Sequence, residues 1–371
     1  MKNIYMVEYQ GRCDENGKAV GHAPKVMNEY YNFIKAYSNV TVVAPNTILK
    51  ELTYDANKFE LSKHIVMKGK TPFIEKITNK LNMFSNAKSA YKYAKRDNNS
   101  IVWFFNVEYF FMLWCALSPV IKKTSQRSHG PKVVLTMFID GFHAPENASI
   151  IQKLNASLKQ WVFENAQKKF DIIIATGEKF KYKNTESVFI PDYYYIPEIF
   201  DAHRSISKND EAVCLGTMGR GKQLTQMVDA FNRIGYPLTI AGRFYDKSLL
   251  SELKAKANSN IKIIDDYLSN EEYLSMLAKA KYTVLPYSYN YANQTSGVMQ
   301  EAMFLGTVPV TYKAILDGNC MEGIGFDSWD SLNASMLSSD VSPILSNYDK
   351  KINGPYSKSY ASKNYRSIFA K

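Results

Sequence analysis

The 371 residues predict an α/β protein built from two Rossmann-like, doubly wound domains. Three observations carry that expectation. Short apolar runs rich in β-branched and aromatic residues alternate with segments of helical period, the pattern of parallel strands buried by crossover helices. The alternation lapses near residue 200 and then restarts, and the chain is long enough for two cores of ordinary size. Finally, 46% hydrophobic and 22% charged residues describe a folded chain and not a disordered one.

In the first half, residues 3–8 form a strand, followed by a polar loop holding Gly11, Gly17 and Gly21. A helix follows over 24–37, with Val26, Tyr30, Phe33 and Ile34 at helical spacing and Pro24 suited to its first turn. Residues 40–44, 65–67, 101–105, 133–138 and 172–175 read as further strands, with a long amphipathic helix over 148–168. The most apolar segment, 101–121, is interrupted by Asn106, Glu108 and Pro119, so a buried strand and helix are expected there instead of a membrane span. No G-x-G-x-x-G follows the first strand, which removes the dinucleotide fingerprint.

After a Pro- and Tyr-rich crossover at 191–200, strands are expected at 212–216, 238–241, 261–264, 282–285 and 308–311. The remainder is expected to be mostly helical, ending in a helix over 357–370. The opening MKNIYMVEY turns polar before an apolar leader can form, so no leader is expected. Cys13, Cys115, Cys214 and Cys320 are widely spaced with no C-x-x-C, which fits unpaired thiols in a reducing compartment.

Charge is uneven. Residues 1–200 hold 27 Lys and Arg against 18 Asp and Glu, or +9, leaving +2 of the total +11 for the rest. The densest stretch, 58–96, sets ten basic residues against Glu60 and Glu75 and interleaves them with Phe73, Ile74, Ile77 and Leu81. Such a segment suits an anionic membrane surface. No nucleic-acid motif accompanies it, and no nucleic-acid partner is expected.

The chain is organised around 282–312. There a strand stopped by Pro286 leads through a polar loop to Thr295, Ser296 and Gly297, which open a helix stopped by Gly306. A helix start offers unpaired N–H groups and a positive dipole end to an anion, and Gly297 has no side chain to hold a phosphate away. Glu301, one turn further in, is a carboxylate able to accept hydrogen bonds from sugar hydroxyls. A strand's carboxyl end also carries Asp140 and His143, residue types suited to proton transfer near neutral pH.

The order Pro286, polar loop, Ser296-Gly297, Glu301-Ala302, Gly306, Val308-Pro309-Val310 resembles the donor-binding signature of nucleotide-sugar glycosyltransferases of the GT-B fold, chiefly the retaining family 4. That resemblance implies two Rossmann-like domains facing a central cleft: an acceptor domain over 1–200, a donor domain over 201–355, and a last helix, 356–371, crossing back to the first. The family has a glutamate eight positions before Glu301; this chain has Asn293 there. Either Asn293 or Gln294 then contacts the sugar, or the donor differs.

By the same resemblance Arg220 and Lys222 face the diphosphate, Tyr267 and Leu268 hold the base, Gly21 and His22 lie on the acceptor side, and Asp140 or His143 lies near the reacting sugar. The implied reaction moves a sugar from a nucleoside diphosphate donor, a UDP-sugar in preference, to a lipid-linked saccharide or growing polysaccharide at the cytoplasmic membrane face. The donor is substrate, so no cofactor is implied. The adjacent Asp265 and Asp266 are not the D-x-D of metal-dependent transferases, and no metal is assigned. A nucleotide-sugar epimerase on the same fold, and a non-catalytic basic binding protein, are the rival readings.

Overall fold

A computed structural model describes every residue except 21–22, 68–71, 106–108, 120, 122, 124, 126–128, 143, 145–148 and 371. The chain divides into two compact units, Met1–Asp192 with Ala361–Lys371, and Tyr193–Tyr360.

The strands of the first unit are β1 (Lys2–Val7), β2 (Arg12–Cys13), β3 (Ser38–Pro45), β4 (Asn57–Leu61), β5 (Ile65–Val66), β6 (Ile101–Phe104), β7 (Lys132–Met137), β8 (Ile172–Ala175) and β9 (Glu186–Phe189). Seven of them make a sheet in the order β4-β3-β1-β6-β7-β8-β9, every pair parallel. Reading outward from β1 in both directions gives the doubly wound pattern. All four residues of β6 and of β8 are buried, as interior parallel strands covered on both faces must be. The edge strands β4 and β9 bury little, and their charged residues blunt the open edges.

Two elements of this unit differ from the sequence expectation. Residues 65–67 do not join the main sheet: Ile65 and Val66 pair with Arg12 and Cys13 in a separate two-stranded patch. The main-sheet strand in that region is the half-polar β4, which an apolar-run criterion passes over.

Helices Phe73–Ala94, Tyr109–Leu117 and Ile150–Gln167 lie side by side, the middle one packed against both others. A capping box between Ser149 and Gln152 starts the last of them. Elsewhere in the unit Trp103 donates from Nε1 to Thr136 Oγ1 at 2.9 Å. Its indole stacks with Tyr30 at 5.2 Å and meets Tyr365 and Phe369 of the terminal helix Lys358–Phe369 at 5.6 and 4.7 Å.

The second unit contributes β10 (Asn209–Leu215), β11 (Leu238–Gly242), β12 (Ile261–Asp265), β13 (Ala280–Val284), β14 (Val308–Tyr312) and β15 (Ile324–Phe326), again all parallel, ordered β12-β11-β10-β13-β14-β15. This is the six-stranded Rossmann order, with the switch point between β10 and β13. Strand β15 lies in the stretch expected to be mostly helical; three residues with Gly325 in the middle and Gly323 before them leave no periodicity to detect.

The terminal helix is therefore core to the first unit. Tyr365→Ala removes a ring buried among Tyr30, Phe33 and Trp103 and is expected to cost about 3–5 kcal/mol, read by urea unfolding of the full chain. A loss below about 1 kcal/mol would show that the helix is not part of that core.

Candidate functional site

Open parallel sheets bind ligands beyond the carboxyl ends of their strands, at the switch point. In the second unit the chain leaves β10 through Gly216 (φ +101°) and β11 through Gly242 (φ +145°). A Cβ on Gly242 would stand 1.8 Å from the Gly216 carbonyl oxygen, so the two strand ends touch backbone to backbone and only glycine fits. Met218 N–H then donates to Arg243 O at 3.0 Å, continuing the contact into the loops.

Gln223 closes the other side of the switch point. Its N–H donates to Pro286 O at 2.7 Å, tying the loop after β10 to the loop after β13. Its side-chain oxygen accepts from Tyr312 Oη at 2.9 Å and Trp329 Nε1 at 2.7 Å.

Beyond Pro286 the chain makes a 3-10 turn over Tyr289–Asn293 and enters the helix Gly297–Phe304. Ser296 caps that helix by accepting from Met299 N at 3.3 Å, and its hydroxyl meets Tyr287 Oη at 3.1 Å. Ser296 N donates to Asn319 Oδ1 at 3.2 Å, while Asn319 Nδ2 donates to Gln294 O at 3.1 Å and Ile315 O at 2.9 Å. One asparagine thus pins the backbone through buried Thr295. A Cβ on Gly318 would stand 1.9 Å from Ala292 O, so a second close approach holds the turn carrying half-buried Asn293 and Gln294.

The space left by the missing Gly297 side chain, expected to admit a phosphate, is instead taken by a neighbouring ring. A Cβ there would lie 2.5 Å from the Tyr193 ring, which occupies that space. Gln300 holds Tyr193 in place, its Oε1 accepting from Tyr193 N at 2.8 Å. At the helix end Gly306 (φ +66°) and the bond from Thr307 N to Ala302 O at 2.8 Å make a left-handed stop.

Glu301 is 3% exposed, and its Oε2 accepts from Tyr273 Oη at 2.9 Å. Burial, then the Glu301 charge, pushes the Tyr273 hydroxyl well above its ordinary range, so it stays a donor at any physiological pH.

The two cations proposed for the diphosphate part company. Arg220 is bound to the start of the helix Lys247–Lys256: Nε to Asp246 at 2.7 Å, Nη2 to Ser248 Oγ at 2.9 Å, and Nη1 to Glu252 at 3.4 Å. The Ser248 hydroxyl first, then the Arg220 Nε bond and the Leu249 N–H, hold the Asp246 carboxyl far below the usual range. Lys222 is half-buried and makes no ion pair among the described residues; its charge reaches Cys214, whose thiol burial pushes up to about 11. Of the two, Lys222 is the cation left for an incoming anion.

Tyr267, 58% exposed, carries Arg243 over its ring at 5.2 Å, with half-buried Leu268 beside it. The Asp265 carboxylate is taken up by Phe244 N at 3.1 Å and Lys247 Nζ at 2.5 Å.

In the first unit Asp140 lies just past β7, half-buried. Its charge, after burial, raises the Tyr182 hydroxyl, which donates to Ile139 O at 2.7 Å. Gly21, His22 and His143 lie outside the described residues.

Sequence reasoning missed Gln223, Tyr273, Arg243 and Asn319. Each acts through a partner at least 23 positions away, from Asn319 with Ser296 to Gln223 with Trp329, and none stands in a local motif.

No protein-family model matches the chain, and no curated protein matches it in sequence. Solved structures do match. The chain is similar to AviGT4, a glycosyltransferase involved in avilamycin A biosynthesis, at 13% identity and TM-score 0.57, covering 99% of this chain and 97% of that one. It is similar to the trehalose-6-phosphate synthase OtsA at 9% identity and TM-score 0.63 (99% and 98%), and to Anabaena HepE in complex with UDP at 12% and 0.58 (99% of each). The fold is GT-B. At these identities the likeness establishes the GT-B architecture and leaves the chemistry to the residues.

Removing the Glu301 carboxylate leaves the Tyr273 hydroxyl without that acceptor, which is expected to cost about 1–3 kcal/mol in urea unfolding of Glu301→Ala. Adding Tyr273→Phe removes the stranded donor and is expected to return part of that loss. Strictly additive losses in this double-mutant cycle would mean the bond is not made.

Proposed function

We propose that the chain is a retaining glycosyltransferase that moves a sugar from a nucleoside diphosphate donor, a UDP-sugar in preference, to a lipid-linked saccharide or growing polysaccharide. The observation that carries this reading is the arrangement at the switch point of the second unit. A serine-capped helix start with a buried glutamate inside that helix, and the half-buried Lys222, follow β13 and β10, whose loops are joined through the Gln223–Pro286 bond. The GT-B likeness to AviGT4, a glycosyltransferase, and to a structure holding UDP supports it.

In this reading Lys222 and the Gly297 and Val298 N–H groups at the helix start stabilise the charge that grows on the departing diphosphate, where low dielectric strengthens them. Glu301 accepts from ribose hydroxyls. Asn293 and Gln294 contact the sugar through neutral amides. Tyr267 and Leu268 hold the base, with Arg243 stacked on the outer face of the tyrosine. Asp140 orients the acceptor hydroxyl from the first unit; retention needs no general base, and in an inverting reaction Asp140 would be that base.

Thermal unfolding with UDP, GDP, dTDP, CMP and ADP tests the donor site. A ligand at about 100 times its Kd stabilises by about 2.7 kcal/mol, a midpoint shift of several degrees. UDP is expected to give that shift, Lys222→Ala and Glu301→Gln to shrink it, and Arg220→Ala to keep it. No shift with any of the five would sink the donor site, and a shift lost in Arg220→Ala but kept in Lys222→Ala would reverse the assignment of the two cations.

A further inference from the structure

Two helices of the first unit begin with turns that bury nothing. In Phe73–Ala94 the first buried side chain is Asn86, and in Ile150–Gln167 it is Val162. Ahead of those points stand Phe73, Ile74, Ile77 and Leu81 on one helix and Ile150, Ile151, Leu154, Leu158 and Trp161 on the other, all exposed. Phe73, Ile74, Ile150 and Ile151 are each more than three-quarters exposed.

These residues are not scattered. At about 100° per residue, each set falls within an arc of about 100°, one apolar stripe per helix. Ordinary surface leucines and isoleucines occur singly; two stripes of four and five large side chains do not need to be there for folding.

The stripes also share an end of the fold. All seven main-sheet strands are parallel, and Phe73–Ala94, Tyr109–Leu117 and Ile150–Gln167 are the helices entering β6, β7 and β8. A helix that returns the chain to a parallel strand runs against the strands, so the apolar first turns lie at the carboxyl edge of the sheet, the edge that carries Asp140.

We propose that these two helix starts are a docking surface for an anionic membrane, and that they bring the Asp140 edge to a lipid-borne acceptor. Charge chooses this occupant over a second copy of the chain. Beside the stripes Lys76 and Lys80 stand against Glu75 on one helix, and Lys153 and Lys159 against Glu164, which is paired with Lys183, on the other. A second copy would set like charges together, whereas an anionic surface neutralises them while the stripes enter the headgroup region. Among the described residues no helix is long and apolar enough to cross a membrane, so the contact is to one leaflet. The acceptor assignment rests on the glycosyltransferase reading; the lipid contact does not.

Sedimentation of the full chain with vesicles of phosphatidylcholine, with and without about one-third phosphatidylglycerol, tests it. Binding is expected to the anionic vesicles only, with a blue shift of Trp161 emission absent in Trp161→Phe. The pairs Phe73→Asp/Ile74→Asp and Ile150→Asp/Ile151→Asp are each expected to lower partitioning at least tenfold while keeping the unfolding midpoint and its response to UDP. No binding to anionic vesicles, binding that both pairs leave intact, or self-association that the pairs abolish would overturn the proposal. Vesicle binding that behaves as expected in a chain with no UDP response would leave the lipid contact standing and remove the glycosyltransferase reading alone.

Discussion

The second unit depends on how its strand ends are joined, and Gln223 is the joint. A parallel sheet ends in loops whose backbone groups have no ladder to enter, so every such loop must find other partners. Gln223 supplies them for two loops at once: its N–H donates to the carbonyl of Pro286, and its side-chain oxygen accepts from Tyr312 at the end of β14 and from Trp329 beyond β15. The loops that follow β10 and β13 are thereby tied to each other and to Tyr312 and Trp329. Under the proposed function, a donor site on loops tied in this way spends little binding energy on ordering itself.

Tyrosine hydroxyls perform the same service around the helix start. Tyr273 meets the Glu301 carboxylate, Tyr287 meets the cap Ser296 while stacking on Tyr291 at 4.0 Å, and the Tyr193 ring fills the space beside Gly297. A phenol suits this work because its ring packs and its tip hydrogen-bonds. The helix start and the buried carboxylate behind it are therefore held rigidly, with polar groups near Glu301 that are donors and not competing charges.

The alternation of apolar runs and helical segments made both sheets legible, because strands such as β6 and β8 are buried on both faces and read as unbroken apolar runs. The same criterion passed over β4 and β15, one half-polar at an edge and one three residues long. At the site, the stretch from Pro286 to Gly306 was legible because a cap, a glycine and a glutamate fall within one helix. Gln223, Tyr273 and Asn319 were not, since their partners lie 28 to 106 positions away in the chain apart from Asn319, whose 23 to 25 residues still span a strand. The structure also separated two residues that sequence treats alike: Arg220 and Lys222 are two apart, yet one is committed to a helix start and the other is not.

The departure at Asn293 acquires a physical meaning from that surrounding. The 3-10 turn carrying it is held by the contact of Gly318 with Ala292 O and by the bond from Asn319 to Gln294 O, so its side chains project from a fixed backbone. Under the proposed function, a glutamate in this place would set a second carboxylate beside a diphosphate that Lys222 must already balance. An amide carries no charge, offers both a donor and an acceptor to sugar hydroxyls, and leaves the cation to the phosphates. The substitution then favours neutral hydrogen bonding to the sugar over electrostatic stabilisation of positive charge developing on it, and shifts the burden of catalysis to the leaving group.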